Sequence, residues 1–213
     1  MNLADERKNY LRGQLRRADL ERDPVQQFHR WMQEAHEAKV VEPTAMSLAT
    51  VGSDGRPRVR TVLLKGLDAR GFVFFSNFGS RKGRQLDENP RASLLFPWLA
   101  LERQVIVTGS VERITDKETR TYFNSRPRES RLAAWASQQS DVVTNRAAID
   151  AEMDAIRLRF GTHGEVPVPP FWGGYRVQPN HVEFWQGRAN RLHDRFEYAR
   201  EPDGSWTIAR LSP

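Results

Sequence analysis

The chain has 213 residues, 38% hydrophobic and 28% charged, which suits a globular protein with one sizeable core and does not demand a second domain. Its net charge of +6 fits anionic partners, but the arginines are scattered among acidic residues without a dense basic run, which speaks against nucleic acid and for a phosphate-bearing small molecule. With no cysteine, disulfides and thiolate chemistry are excluded, so any redox chemistry must come from a cofactor.

Residues 1–8 carry charge where a signal peptide needs an apolar stretch, and the longest apolar run, 94–101, is interrupted by Pro97 and too short to span a bilayer. A cytoplasmic protein without membrane contact is expected. Residues 1–20, rich in charge and poor in apolar groups, read as a partly helical, mobile N-terminal arm on a single domain of residues 1–213; a frayed terminus has the same composition. Asp23-Pro24 then supplies an N-cap and a proline at the first helical position, and Phe28, Trp31, Met32 and Ala35 form one apolar face of a helix running to about residue 39. His29 and His36 lie on it without a companion at metal spacing.

After Pro43 the period changes. Residues 45–51, 57–65 and 71–77 read as strands of an antiparallel meander, with turns at Ser53-Asp-Gly55 and 68–71. Alternation in the second strand puts Arg60 on one face and Lys65 on the other unless a bulge intervenes, free to serve different ligands. Ser80 opens a short helix whose start, with Arg81 and Lys82, makes a natural cradle for a phosphate; a surface basic turn has the same residues. Strands follow at 91–98 and 103–114. Thr115 and Glu118 form a capping box for a helix carrying Tyr122, and Pro127 starts another, so that Arg126 and the Ser130 hydroxyl converge on one anion. Residues 145–160 form a packing helix with Ile149, Met153, Ile156 and Phe160 as its stripe, and 161–170 reads as a mobile or insertion-tolerant loop. In the last hairpin, a returning strand over 191–198 places Arg191, His193 and Arg195 on one face and Leu192, Phe196 and Tyr198 on the other, as an ordinary exposed hairpin also could. Eight or nine short strands with helices make the chain α+β, mainly an antiparallel β-barrel with helices at its ends.

Glu183-Phe-Trp-Gln186, four residues, then Arg191-Leu-His-Asp-Arg195 resembles the signature of the pyridoxine/pyridoxamine 5'-phosphate oxidases. The resemblance continues through Arg60-Thr-Val-Leu-Leu-Lys65, Ser80-Arg-Lys82, Leu101-Glu-Arg-Gln104, Tyr122-Phe-Asn-Ser-Arg-Pro127, Ser137-Gln-Gln-Ser140 and Phe171-Trp-Gly-Gly174, nearly the whole chain in the family's order. It implies an FMN-binding split β-barrel, a homodimer with two FMN sites at its interface, and oxidation of pyridoxine 5'-phosphate or pyridoxamine 5'-phosphate to pyridoxal 5'-phosphate, with O2 as acceptor. Carried over by resemblance, the FMN contacts are Arg60, Thr61, Val62, Leu63, Leu64, Lys65, Phe75, Ser76, Arg81, Lys82, Gln104, Gln139, Ser140, Trp185 and Arg195. Lys65, Tyr122, Arg126 and Ser130 hold the substrate's phosphate, Arg191, Leu192 and His193 its ring, and Arg7 and Tyr10 fold over it; Arg191 and His193 are the catalytic pair, His193 either as a base or as a positioning group. No metal is implied. Phe75-Ser76 departs from the Tyr-Thr common among relatives, and Glu42 stands where some carry Asp. Arg16, Arg17 and Arg210 are candidates for a second anion site. A flavin reductase of the same barrel class would lack the Tyr122, Arg126, Ser130 set, and a non-catalytic binding module is the reading from another class.

Overall fold

The computed structural model describes residues 2, 3 and 9–213. Helix α1 (Pro24–Glu37) starts as its residues dictate: the Asp23 carboxylate accepts from the Val25 N–H at 2.6 Å, and proline occupies the first turn. Asp23→Ala is expected to cost about 0.5–2 kcal/mol, read as a lower urea midpoint at unchanged slope. The apolar face of α1 fills the mouth of a curled sheet. Phe28 meets Phe72 and Phe96 edge-on at 4.9 and 4.7 Å, and Trp31 meets Phe184 at 5.1 Å, all within the main core.

Nine strands form that sheet: β1 (Ala45–Val51), β2 (Pro57–Leu63), β3 (Gly66–Asp68), β4 (Gly71–Asn77), β5 (Arg91–Trp98), β6 (Arg103–Arg113), β7 (Trp172–Gln186), β8 (Asp194–Arg200) and β9 (Trp206–Leu211). The order is β2-β1-β5-β6-β7-β4-β3, with β8 and β9 continuing from β7. The predicted meander is therefore only half right, because β4 pairs with β3 and β7 and not with β2. Composition explains the difference. Strand β4, Gly-Phe-Val-Phe-Phe-Ser-Asn, is buried almost throughout and needs cover on both faces, whereas β2 alternates exposed and half-buried residues as an edge strand does.

Strand β7 splits the barrel. Along one edge it pairs with β6 from Tyr175 to Gln186; along the other its first half pairs with β4 and its second half with β8. The change of partner falls at Pro179-Asn180, where Gly109 opposes Pro179, Thr108 opposes His181, and the register shifts by a bulge. Proline has no N–H for a ladder, so the strand bends there and changes its neighbour. The sheet curls until β2 and β4 approach without bonding, which leaves a seam.

Helices α2 (Arg81–Glu88), α3 (Asp116–Ser125), α4 (Arg128–Ala136) and α5 (Arg146–Phe160) lie outside the barrel. The last three pack a second apolar cluster of Phe123, Leu132, Ile156, Val166 and Trp172. Pro127 caps α4 and is not its first residue, one position earlier than the sequence reading. The α5 stripe is covered only toward its end: Ile156 is buried while Ile149 is exposed. Residues 161–170, read as a loose loop, are pinned. Val166 is fully buried, the Trp135 indole donates to the Pro167 carbonyl at 2.8 Å, and Arg128 Nη2 donates to the Phe160 and Gly161 carbonyls. Among the described residues no helix is long and apolar enough to cross a membrane.

Candidate functional site

The seam between β2 and β4, floored by the start of α2 and walled by α3, α4 and the loop after α4, is an open cleft of about 950 Å³. Among the described residues Arg58, Arg60, Lys65, Arg81, Lys82 and Arg126 line it, six cations without a single carboxylate. Thr61, Val62, Leu63, Phe75, Ser76, Tyr122, Gln139 and Ser140 join them, so most of the predicted segments converge as expected. Leu64 turns into the core, and its N–H is bonded to the Thr44 carbonyl at 2.9 Å. Ser130 is half-buried on α4 and does not line the cleft.

At the α2 end, Ser80 caps the helix by accepting from the Gly83 N–H at 3.3 Å, and Lys82 is turned inward. Its ammonium donates to Gln139 Oε1 at 2.9 Å, Ser76 Oγ at 3.0 Å and Ser80 Oγ at 3.4 Å, all neutral acceptors. Burial, and then the nearby Arg60 charge, pull its pKa down to about 8. Arg60 is held from behind: Nη1 donates to Thr50 Oγ1 at 2.6 Å and the Leu48 carbonyl at 3.2 Å, and Nη2 to Gln85 Oε1 at 3.3 Å. Its pKa is lowered by burial and by Arg58 and Arg81. Ser140 accepts from the Arg81 N–H at 3.2 Å, with its own backbone at φ +80°. The supports Thr50, Gln85 and Asn77, whose Nδ2 donates to the Ser137 carbonyl at 3.1 Å, were not singled out in the sequence. Only their proximity in the fold marks them.

At the other end Tyr122 stacks on Phe75 at 3.9 Å, so the Phe75 ring acts as a platform. Arg126 Nη1 is buried without a hydrogen-bond partner, and burial lowers the arginine's pKa while raising that of Tyr122. Helix α3, which carries Tyr122, is tied down by Arg176 on β7. This arginine, 3% exposed, reaches Glu118 at 2.9 Å, Glu112 at 3.4 Å and Asp68 at 3.5 Å. The Glu118 pKa falls from 4.5 to about 2, first through Arg176 and then through Thr115 of the capping box. A depressed carboxylate pKa gives stability that is complete above the unfolded value and is lost as pH falls toward the folded one. Glu118→Gln should therefore lose less stability than wild type between pH 4.5 and 2, as acid unfolding curves of the two would show.

The remaining predicted residues form a second patch elsewhere on the same chain. Gln104, Trp185 and Arg195 are direct cross-strand neighbours on β6, β7 and β8, half-buried on the face opposite Val105, Phe184 and Phe196, and none lines the cleft. The expectation that Arg191, His193 and Arg195 share a strand face is overturned. Strand β8 starts at Asp194, and Arg191 lies in a short 3-10 turn with Asn190 and Arg191 at φ +56° and +61°. Leu192 is 68% exposed and does not join buried Phe196 and Tyr198. Two successive left-handed residues turn the chain out of the pleat, so period two does not extend back past Asp194. His193 Nδ1 accepts from the Arg188 N–H at 3.1 Å; the neutral ring then carries its proton on Nε2. Burial, then the Arg191 charge, lower its pKa.

Tyr10 packs edge-on against Trp185 at 5.8 Å and against His193 at 5.7 Å, over Gly187, where a Cβ would come within 2.8 Å of the Tyr10 ring. Two acidic side chains hold the segment that delivers it. Glu102 accepts from the Leu11 and Arg12 N–H groups, each at 2.9 Å, and Asp194 from that of Leu15 at 3.0 Å. Arg7 lies outside the described residues. Arg210 is bonded to Asp194 at 2.7 Å and Arg16 lies 3.8 Å from Asp19, so two of the three arginines considered for a second anion site already have acidic partners.

Two family models cover these parts of the chain. One, described as pyridoxamine 5'-phosphate oxidase, matches residues 32–160, which hold most of the cleft; the other, pyridoxine 5'-phosphate oxidase C-terminal dimerisation region, matches 172–213, which hold Trp185, Arg191, His193 and Arg195. Curated proteins called pyridoxine/pyridoxamine 5'-phosphate oxidase are 54% identical in Cupriavidus metallidurans, over 99% of both chains, and 53% identical in Aeromonas hydrophila, over 100% of both. Among solved structures, PhzG from Burkholderia lata in complex with tetrahydrophenazine-1-carboxylic acid superposes with a TM-score of 0.85 at 32% identity, covering 92% of this chain and 95% of that one. A pyridoxamine 5'-phosphate oxidase-related, FMN-binding protein from Nostoc punctiforme, 17% identical with a TM-score of 0.70 over 87% and 96% of the two chains, shares the fold. By sequence over its whole length and by its split-barrel fold, the chain belongs to the pyridoxine/pyridoxamine 5'-phosphate oxidase family of enzymes.

Proposed function

We propose that this chain is an FMN-dependent oxidase that converts pyridoxine 5'-phosphate or pyridoxamine 5'-phosphate to pyridoxal 5'-phosphate, with O2 as final acceptor and H2O2 as by-product, and ammonia also released from the amine. The observation that carries this reading is the cleft, lined among the described residues by six cations and no acid. Such a site needs anions, and its cations fall into two groups. Arg60, Arg81 and Lys82 gather at the α2 start, and Arg126 stands with Tyr122 at the end of α3. The first group suits the phosphate of a flavin mononucleotide: Lys82 is inward-facing and partnered only by neutral oxygens, and a dianion would displace none of its charge balance. The second group, with Lys65, suits the phosphate of the substrate.

Flavin, when bound, supplies the two-electron acceptor that the side chains of this protein lack. The protein binds and orients. Arg126, Lys65 and Tyr122 fix the substrate's phosphate, while Arg60 and Lys82 fix the cofactor's, and the distance between the two cation groups sets how the two rings face each other. Gln104, Trp185, Arg195, Arg191, His193 and Tyr10 stand apart from the cleft of their own chain. We assign them to the cleft of a second copy, in a homodimer with two equivalent FMN sites; the match of 172–213 to a dimerisation region supports this. There His193 presents Nε2–H as a donor, which makes it a positioning group for the substrate's oxygen or amine. The test is peroxide formation from pyridoxine 5'-phosphate by protein supplied with flavin mononucleotide, with pyridoxal 5'-phosphate formed in equal amount. Protein that binds the flavin yet forms neither product would refute the reading.

A further inference from the structure

We infer that Trp172 is a positioning residue: its indole face holds the Arg126 guanidinium so that the edge of that cation stays free for the phosphate of the substrate. The inference rests on the assignment of Arg126 to that phosphate. The Arg126 guanidinium carbon lies 4.8 Å from the centre of the Trp172 ring. Among the described residues Arg126 makes no ion pair, and its Nη1 is buried with no hydrogen-bond partner. An arginine partly withdrawn from solvent, as Arg126 is, commonly has its charge met by a carboxylate, which would occupy the in-plane N–H groups. An aromatic face attracts the cation from above or below the plane and leaves those N–H groups unspent. Charge and donors both remain available to an incoming anion.

The ring is itself held in place. Trp172 is 8% exposed, opens β7 opposite Asn77, and packs edge-on against Phe123 at 5.2 Å. Phe75 and Tyr122 lie nearly parallel to it, tilted by 16° and 7° with centres 5.3 and 6.3 Å away. One aromatic layer thus fixes Arg126 and the Tyr122 ring together. Arg126 also follows α3 directly and precedes Pro127, in extended backbone at φ −76° and ψ 147°, so its side chain is not guided by helix geometry and needs a lateral support.

Four forms of the flavin-loaded protein test this: Trp172→Leu, Trp172→Phe, Arg126→Ala and the Arg126→Ala/Trp172→Leu double variant. Trp172→Leu should raise KM for pyridoxine 5'-phosphate about tenfold, with a much smaller change in kcat, and weaken pyridoxal 5'-phosphate binding by calorimetry to a similar degree. Trp172→Phe keeps an aromatic face and should recover part of the loss. For phosphate-free pyridoxine, kcat/KM should fall much less in Trp172→Leu than it does for pyridoxine 5'-phosphate, whereas general damage would lower both substrates together. The double variant should be no worse than Arg126→Ala alone. Multiplicative losses, or equal losses for the two substrates, overturn the inference while leaving Arg126 in its role. If Arg126→Ala itself leaves the KM for the phosphate unchanged, the phosphate assignment has failed. If Trp172→Leu does not fold, wild-type KM in Trp172→Phe together with wild-type KM in a Trp172→Met variant overturns it.

Discussion

Lys82→Met is expected to yield a folded protein that loses its flavin. The ammonium is the inward cation of the α2 group and is met only by Ser76, Ser80 and Gln139, so its removal leaves neutral oxygens that can bond to one another, Ser76 Oγ to Gln139 Oε1 at 3.0 Å among them. A charge-assisted contact to a phosphate is worth about 1.5–3 kcal/mol, so flavin affinity should fall roughly 10- to 150-fold, and diluted protein should turn colourless. Fold stability should move the other way. With a folded pKa of about 8 against an ordinary 10.5, the unfolded chain binds more protons between those values, and the wild type gains stability as pH rises through that window. The variant, having no such group, should show no gain there and should be no less stable at pH 7. Flavin binding by wild type should weaken above pH 8, as Lys82 gives up its proton, and Lys82→Arg should hold flavin to higher pH. Arg60→Ala is a less clean probe, since it also removes a donor shared by the buried Thr50 and Gln85, which are left with their bond to each other at 2.7 Å. Fluorescence titration of flavin across pH 6–10 reads all three. Equal affinity in wild type and Lys82→Met would show that the cofactor's phosphate lies elsewhere.

Arg191→Met should leave the protein yellow and dimeric while kcat/KM for pyridoxine 5'-phosphate drops roughly 10- to 150-fold, the worth of about 1.5–3 kcal/mol for a charged hydrogen bond. Misalignment of the ring would add to this. The substitution is structurally quiet. Arg191 is exposed, makes no ion pair among the described residues, and is already non-glycine at φ +61°, so methionine inherits the same backbone strain. Arg195→Met is a different experiment. Arg195 grips Glu183 with two bonds of 2.7 and 3.0 Å and donates to the Ser212 carbonyl at 2.9 Å, so its loss strands a carboxylate only 12% exposed. It should cost flavin affinity and melting temperature together. Steady-state kinetics, flavin absorbance and sedimentation on the two variants separate the roles. Normal turnover in Arg191→Met would remove this arginine from the substrate site.

Local chemistry made much of this protein readable in one dimension. Asp23-Pro24 starts α1, Thr115 and Glu118 box the start of α3, and the bounds of β1, β4 and β5 match the runs of β-forming residues, because caps, turns and period-two alternation act within a few residues. Of the cleft cations, Arg81, Lys82 and Arg126 were visible beside helix starts and Arg60 and Lys65 through the resemblance, while Arg58 was not singled out. Tertiary structure decided the rest. Which strand neighbours β4 depends on what can cover its two apolar faces, and the branching of β7 depends on one bulge opposite Pro179. His193 and Arg195 do not line the cleft of their own chain, although they sit beside motifs that read as one site. Arg176, the support of α3, and Trp172, the platform of Arg126, gain their roles only when strands and helices far apart in sequence are brought face to face. Ion pairs and ring stacking are decided by distances of a few ångströms between such elements, and no short stretch of sequence contains those distances.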